Sequence, residues 1–211
     1  MEPYRVSIKK RVFNEKFYPY LDCQTPEQHF YGGGGSGKSV FVADRTILDL
    51  CRTNRNFLVI RKVADTLRTS FFAELKKARS KFKLDGYIHS RETDMEITGP
   101  NGSKVLFRGL DNPEKIKSIT VPKGIITDII IEEATELTEN DYNMLLTRLR
   151  GHCKYVKRVT LLYNTIYRNH WICKRFFKGQ NIKFLHNDKL LLVHSTYKDN
   201  KFLSKEQIHE I

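Results

Sequence analysis

Eight residues, Gly32 to Ser39, carry the clearest chemical signal in this chain and read GGGGSGKS. They fit G-x-x-x-x-G-K-[ST], in which glycines let successive backbone N–H groups turn inward toward an anion. In this pattern Lys38 reaches the outer phosphates of a nucleotide, and the Ser39 hydroxyl ligates Mg²⁺. A flexible Gly/Ser linker is the alternative, but a linker needs neither the lysine nor the apolar segments on both sides. The candidate nucleotide-binding residues are therefore Gly32, Gly33, Gly34, Gly35, Ser36, Gly37, Lys38 and Ser39.

Two adjacent acidic residues could supply the metal ligand and the base that a nucleotide-hydrolysing site needs in addition to the phosphate loop. Residues 125–131 read IITDIII, an apolar run typical of a buried strand, and Glu132 and Glu133 follow it directly. Open α/β sheets bind ligands outside the carboxyl ends of their strands. We therefore expect Glu132 beside Mg²⁺ and Glu133 as the base that polarises an attacking water. Asp128 is an alternative metal ligand, and an acidic helix start is the alternative interpretation of the segment.

Strands alternate with helices along the chain, which predicts an α/β fold with a mostly parallel sheet flanked by helices. A hairpin turning at Asn101-Gly102 is expected as an insertion over residues 95–109. We expect one domain over residues 1–211, with residues 1–28 as a lead-in. The expected strands are 29–31, 57–60, 125–131, 156–163 and 190–194, and the expected helices are 39–52, 66–82, 140–150 and 168–178.

The charge balance favours a polyanionic partner. The chain has 37 Lys and Arg against 24 Asp and Glu, for a formal net charge of +13. An acidic partner subunit or a solubility effect is the alternative explanation. The sequence has no apolar run of about 18 residues and no secretory signal, so we expect no membrane association. Four cysteines without paired spacing indicate a reduced, cytosolic protein.

A series of segments resembles one family throughout the chain. In order they are GGGGSGKS, FLVIRK, FRGLDNPEKIKSI, IIIEEATEL, RLRG, LLYNTIYRNHW and HSTYKDNKFL, from about Phe30 to Leu203, and together they resemble the large terminase subunit of tailed bacteriophages. The resemblance implies a P-loop ATPase of the additional-strand, catalytic-glutamate type, which uses ATP and Mg²⁺ to drive double-stranded DNA into a procapsid. It also implies a small terminase subunit and a portal as partners, a ring of subunits on the capsid, and the host bacterial cytoplasm as the location.

The resemblance further assigns roles to single residues. Lys38 and Ser39 would hold phosphates and Mg²⁺, Glu132 would be the metal acid and Glu133 the catalytic base. Asn164, after the segment VTLLY, would couple hydrolysis to motion. An ordinary turn residue is the alternative for that asparagine. Gln24 is a candidate for reading the adenine base.

Three positions depart from the family pattern. Gly34 stands where the family often has Arg, Glu132 where it often has Asp, and Thr165 where it often has Pro. Without an arginine in the loop, the cation that neutralises the developing γ-phosphate charge is expected from a neighbouring subunit. The candidates, each of which could instead be a solvated surface charge, are Arg148 and Arg150, followed by Arg108 and Lys123.

DNA contact is expected to be non-specific and to go through phosphates. The candidate basic stretches are 68–83, 115–123 and 174–178, and Phe176 and Phe177 could either stack on bases or pack inside the fold. Only 15 residues follow Thr196, too few for a nuclease site, so we expect no DNA cleavage by this chain. The chain ends inside an apparent helix start, which suggests a domain cut from a longer protein.

Two other functions remain open at this level. A helicase-like P-loop ATPase would share the loop and the acids, but not the string from FRGLDNPEKIKSI to HSTYKDN. A non-catalytic nucleotide switch would share the loop, but it would gain little from an activating carboxylate such as Glu133.

Overall fold

A computed structural model describes residues 8–111, 116 and 119–209. Its nine strands form one sheet in the order β3-β4-β5-β2-β6-β7-β1-β9-β8. The strands are β1 (Glu27–Gly32), β2 (Asn56–Arg61), β3 (His89–Arg91), β4 (Glu96–Thr98), β5 (Lys104–Gly109), β6 (Ile126–Ile131), β7 (Arg158–Tyr163), β8 (Phe184–His186) and β9 (Leu190–Ser195).

The centre of the sheet is parallel and its two edges are antiparallel. Strands β5, β2, β6, β7, β1 and β9 pair in parallel. At one edge β4 and β5 form the expected hairpin, and Gly102 has φ 84° at its turn. The mostly parallel sheet with an inserted hairpin is thus confirmed, whereas the short outer strands β3 and β8 were not expected.

Strand β7 lies between β6 and β1, so one strand separates the phosphate-loop strand from the strand that ends at the two acids. This is the additional strand that the sequence resemblance implied.

The helices follow the expected order with different boundaries. They are α1 (Lys38–Arg52), α2 (Ala64–Thr69), α3 (Phe71–Lys81), α4 (Glu139–Leu146), α5 (Lys205–His209) and a π-helical turn (Cys173–Phe177), with 3-10 turns at Lys10–Val12, Tyr18–Tyr20, Ala134–Glu136 and Tyr197–Asp199. No helix in the described ranges is long and apolar enough to cross a membrane.

Three expected helices were wrong in extent. The single helix expected over 66–82 is divided at Ser70, whose φ −101° and ψ −107° leave the helical region. The helix expected over 140–150 begins with a capping box between Thr138 and Asp141 and ends at Leu146. The helix expected over 168–178 is a shorter turn that stops at Lys178, which has φ 51°.

Each face of the sheet has its own apolar core, because side chains alternate along the strands. One core joins α1 and α3 to residues such as Phe30, Val59 and Ile130. The other joins α4 and the π-helical turn to Tyr31, Ile60 and neighbouring residues. Helices therefore cover both faces, as the sequence predicted.

A network of buried charges ties the amino ends of the central strands together. Asp128 is 3% exposed and accepts hydrogen bonds from Arg55 Nη1, at 2.9 Å, and from Arg158 Nε. Arg158 Nη2 also pairs with Asp49 of α1 at 2.7 Å. Burial alone would lower the pKa of Arg158, but the two carboxylates outweigh that effect and raise the pKa above its usual value.

We expect Asp128→Ala to lower the free energy of unfolding by about 3–5 kcal/mol, because it leaves two buried guanidinium groups without their shared partner. Chemical denaturation of both proteins measures this difference. Asp94→Ala removes an exposed carboxylate that pairs with Arg91 and is the matched control, which should leave stability nearly unchanged. Equal stability of wild type and Asp128→Ala would contradict the structural role of the network.

A second buried carboxylate, Asp44 of α1, has one partner for its two oxygens. Lys81 Nζ donates to Asp44 Oδ2 at 2.5 Å, while Asp44 Oδ1 has no hydrogen-bond partner within the described ranges. The Asp44 side chain is 2% exposed. Burial raises the pKa of Asp44 to about 6, although the hydrogen bond and the charge of Lys81 act in the opposite direction.

Because the pKa of Asp44 is higher in the folded state, the folded protein holds more protons than the unfolded chain between about pH 4 and pH 6. The contribution of Asp44 to the free energy of unfolding therefore falls as the pH rises from about 4 to about 6. We expect Asp44→Asn to remove this dependence and to be about 1–3 kcal/mol more stable than wild type at pH 7.5. Urea denaturation at pH 4.5 and pH 7.5 tests this, with Asp188→Asn, which neutralises an exposed carboxylate, as the control. A variant that is less stable at both pH values would refute the expectation.

Candidate functional site

The phosphate-binding segment joins the carboxyl end of β1 to the amino end of α1. Gly32 has φ 135°, and a Cβ there would overlap the carbonyl oxygen of Ser195 on β9, so only glycine fits. Gly37, with φ 81°, is the N-cap of α1. The backbone thus turns within a few residues, and the positive end of a 15-residue helix faces the loop.

Lys38 is held inside this turn. It is 8% exposed, and its Nζ donates to the carbonyl oxygens of Gly32 and Gly33, both at 3.2 Å. The same Nζ donates to Asn164 Oδ1 at 3.1 Å. Burial lowers the pKa of Lys38, and the charge of Glu133 opposes that shift. One ammonium group therefore bonds both the loop and the residue after β7, and it lies within electrostatic range of Glu133 after β6.

Glu132 lies at the carboxyl end of β6 and is fixed from two sides. Ser70 Oγ donates to Glu132 Oε2 at 2.5 Å, and Arg61 Nη1 lies 3.9 Å from the same oxygen. Burial raises the pKa of Glu132, while the Ser70 hydrogen bond and the Arg61 charge lower it. The break between α2 and α3 is what brings the Ser70 hydroxyl to this carboxylate.

Glu133 has an unusual backbone conformation. Its φ 48° and ψ 53° are left-handed, a region that a residue with a Cβ enters at a cost of about 1–3 kcal/mol. This conformation begins the 3-10 turn Ala134–Glu136, and Glu136 N donates to Glu133 O at 2.9 Å. The left-handed residue turns the chain sharply after β6, and the charge of Glu133 still reaches the Glu132 carboxylate, where it contributes to the raised pKa.

The side chains present fit a bound phosphate chain with a magnesium ion. Ser36 Oγ, within the glycine loop, is buried and has no hydrogen-bond partner in the described part of the chain. A phosphate oxygen would satisfy this hydroxyl together with the loop N–H groups. Hydroxyl and carboxylate oxygens are the ligands that Mg²⁺ prefers, and Ser39 and Glu132 supply them at the same edge of the sheet.

A pair of asparagines fastens the loop to both ends of the described chain. Asn200 Nδ2 donates to Gly35 O at 2.7 Å, and Asn14 Nδ2 donates to Asn200 Oδ1 at 3.1 Å. The backbone N–H of Lys201 returns a hydrogen bond to Asn14 Oδ1 at 3.1 Å. These bonds hold the Gly35 carbonyl outward, so that the following N–H can face the inside of the loop.

Gln24 is a correction to the sequence prediction. Its Oε1 accepts from Arg55 Nη2 at 2.7 Å and its Nε2 donates to Asp22 O at 3.0 Å. Gln24 precedes β1, so it lies at the amino ends of the strands, whereas the phosphate loop lies at their carboxyl ends. It cannot read the base of a nucleotide held on that loop. Asp128 belongs to the same distant edge and is not the metal ligand.

The candidate neutralising cations lie away from their own chain's loop. Helix α4 starts near the acid pair and runs back toward the amino ends of the strands. Arg148 lies beyond the end of this helix, and its Nη2 donates to Ile119 O at 3.3 Å. Arg150 follows at the same edge, where Gly151 packs on Ile125, just before β6. Of the other two candidates, Arg108 donates to the carbonyl oxygen of Phe107 and Lys123 donates to the carbonyl oxygen of Asn101. A role toward a neighbouring subunit stays a prediction for all four.

The basic stretches differ in how many charges are already paired. In 68–83, four side chains form ion pairs: Lys76 with Glu92, Lys77 with Glu74, Arg79 with Asp85 and Lys81 with Asp44. Part of 115–123 lies outside the described residues. In 174–178, Lys174 and Lys178 are exposed.

The two phenylalanines of that last stretch pack inside the fold. The Phe176 ring lies 4.4 Å from the ring of His29, and the buried Phe177 lies 5.2 Å from the ring of Tyr31. This packing agrees with the second of the two interpretations that the sequence left open.

Sequence reasoning missed three contributors to the site: Arg61, Ser70 and Asn200. Arg61 had a usable signal, because it directly follows the apolar run 57–60 that was expected to be a strand. Ser70 and Asn200 had none, since each acts on a residue that is distant in sequence.

Comparisons with known proteins agree with this geometry. Residues 26–211 match a family model described as phage terminase large subunit. The chain is 31% identical to the PBSX phage terminase large subunit of Bacillus subtilis strain 168, over 95% of this chain and 48% of that protein. It is 32% identical to the terminase large subunit of Bacillus phage SPP1, over 96% of this chain and 50% of that protein. The chain thus spans about half the length of these curated relatives.

A solved structure supports the fold independently of sequence. The large terminase of a thermophilic bacteriophage, in complex with ADP, superposes with a TM-score of 0.69 at 21% identity, over 94% of this chain and 49% of that one. With a family model matched from residue 26 onward and two relatives above 30% identity, this chain belongs to the phage terminase large subunit family.

Proposed function

We propose that this chain hydrolyses ATP in a magnesium-dependent reaction that powers the movement of double-stranded DNA into a viral procapsid. The observation that carries the proposal is the meeting of three elements at one sheet edge: the loop after β1, Asn164 after β7 and the acid pair after β6. Family membership and the ADP complex of the thermophilic phage terminase support a nucleotide as the ligand.

In this proposal the loop binds the phosphates and Lys38 neutralises the outer ones. Lys38 now bonds only oxygens, two carbonyls and the Asn164 amide, and a phosphate offers stronger acceptors in the same place. Any shift of Lys38 toward a phosphate alters its bond to Asn164. Asn164 can therefore report the state of the nucleotide to the loop that follows β7.

Glu132 and Ser39 would hold the magnesium ion, which supplies charge neutralisation at the phosphates when bound. Ser70 and Arg61 orient the Glu132 carboxylate for this task. Glu133, whose charge acts on Lys38, then serves as the general base. It orients a water for attack on the γ-phosphorus and accepts its proton.

We expect Glu133→Gln to bind ATP normally and to hydrolyse it about 100-fold more slowly or worse, since the amide cannot accept the proton. Lys38→Ala should lose nucleotide binding. Phosphate release and equilibrium binding on the same preparations measure both effects. Glu139→Gln is the matched control, because its exposed carboxylate pairs with Arg175 and should matter little to the rate.

A nucleotide switch is the alternative that this experiment decides. Unchanged turnover in Glu133→Gln would remove the proposed base. Tight binding of ATP without hydrolysis by wild type, at every protein concentration, would favour the switch.

The proposed motor function rests on the family and on the charge of +13. Acting in a ring on the capsid, with a neighbouring subunit supplying a cation such as Arg148 or Arg150, the chain would turn over faster when assembled. A small terminase subunit, the portal and the host bacterial cytoplasm complete the proposed setting. That this chain does not cut DNA stays a prediction.

DNA binding should be independent of sequence and sensitive to salt. We expect the double variant Lys174→Glu, Lys178→Glu to bind a short duplex about tenfold more weakly, because it reverses two exposed charges. Their neighbours Cys173 and Phe177 line one cavity with Thr165 of the loop after β7. Fluorescence anisotropy with two duplexes of unrelated sequence tests this. Lys189→Glu, at the exposed turn before β9, is the control for a charge reversal elsewhere on the surface. An equal loss of DNA affinity in Lys189→Glu would indicate that binding depends on net charge and not on the surface around Lys174 and Lys178.

A further inference from the structure

A cavity of about 350 Å³ lies between the loop after β7 and the end of β9, on the face of the sheet away from α1. Its volume is within the range of roughly 300–1,000 Å³ found for small-molecule sites. The buried part of its lining consists of Tyr31 of β1 together with Cys173 and Phe177 of the π-helical turn. Tyr31 directly precedes Gly32, so the cavity opens at the same edge of the sheet as the phosphate loop.

The rest of the lining is polar, apart from Ile166, and among the described residues it contains no carboxylate. It consists of Thr165, Arg168, Gln180, Asn181, Lys183 and His194. The side chains of these six residues form no hydrogen bond or ion pair with any other residue that the structure describes. Two permanent cations and several neutral donors therefore line one cavity without an acceptor to satisfy them.

The charge around this cavity is not neutralised by the protein. Burial lowers the pKa of His194, and the positive charges of Lys183 and Lys16 lower it further, while the charge of Asp199 opposes the shift. The basic stretch 68–83 is different, because four of its charges are paired with carboxylates. An anion in the cavity would supply the negative charge that the described lining lacks.

A phosphate group fits these donors better than a single carboxylate does. Its oxygens accept many hydrogen bonds at once, a guanidinium such as that of Arg168 can bind two of them, and an ammonium such as that of Lys183 adds a point charge. We propose that this basic cavity, defined by its six polar lining residues, binds a phosphate group separate from those on the phosphate loop. A phosphodiester of the DNA backbone and free orthophosphate share this chemistry and are the two possible sources.

The position of the cavity connects it to the nucleotide site. Thr165 lines the cavity and directly follows Asn164, whose Oδ1 accepts a hydrogen bond from Lys38 Nζ at 3.1 Å. A phosphate group in the cavity would thus contact the same short segment that contacts Lys38. An effect of that contact on ATP turnover rests on the proposed function, whereas the phosphate site itself does not.

The test is a titration of isotope-labelled protein with orthophosphate at constant ionic strength, with ADP and Mg²⁺ present to occupy the phosphate loop. We expect the side-chain NH₂ signals of Gln180 and Asn181 to shift in NMR spectra, because both amides line the cavity. The double variant Arg168→Gln, Lys183→Gln should bind orthophosphate about tenfold more weakly or worse, since it loses two charge-assisted contacts.

The matched control is the double variant Lys189→Gln, Lys205→Gln, which removes two exposed charges outside the cavity and should keep the wild-type affinity. A short DNA duplex distinguishes the sources. Shifts of the same signals on addition of the duplex assign the site to the DNA backbone, and shifts with orthophosphate alone assign it to free phosphate.

Unmoved signals with both ligands, or an equal loss of affinity in the control variant, overturn the phosphate site. ADP binding is measured on the same samples and keeps the two proposals apart. Its absence in wild type would contradict the proposed function without changing the result for the cavity. Its presence in Arg168→Gln, Lys183→Gln shows that this variant is folded.

Discussion

The parallel pairing of β6, β7 and β1 is the constraint on which the site depends. Because neighbouring strands lie about 4.8 Å apart and run in the same direction, their carboxyl ends open onto one edge. The loop after β1, Asn164 after β7 and the acids after β6 come from distant parts of the sequence and meet there. Reversing any one of these strands would take its chemical group to the opposite edge. The bond between Lys38 and Asn164, at 3.1 Å, is the most direct sign that the alignment holds.

The two edges of the sheet divide stability and function between them. At the amino ends, Asp128, Arg55, Arg158 and Asp49 satisfy one another's charges inside the protein. At the carboxyl ends the opposite holds: Ser36 Oγ has no partner in the described ranges, and Glu133 holds a left-handed backbone. Unsatisfied and strained groups are destabilising, and they gather where ligands bind.

The sides of the phosphate loop are supported by segments that contribute nothing to the sheet. Asn14 comes from the lead-in before β1 and Asn200 from the turn after β9, and both act on Gly35 through a short chain of hydrogen bonds. These segments also line one side of a cavity that Asp44 lines from α1. The loop and this cavity are thus built from the same contacts.

The sequence alone determined the loop, the acid pair, the order of the main strands and the family. Each of these is a local pattern, in which residue types at short spacing dictate backbone shape or burial. Only the tertiary structure decided the break between α2 and α3 at Ser70 and the hydrogen bond from Asn200 to Gly35. It also decided that Gln24 lies at the amino ends of the strands. The partners in the first two cases, Glu132 and Gly35, lie 62 and 165 residues away along the chain. Hydrogen bonds between such distant residues depend on how strands and helices stack, and no pattern within a single segment records that arrangement.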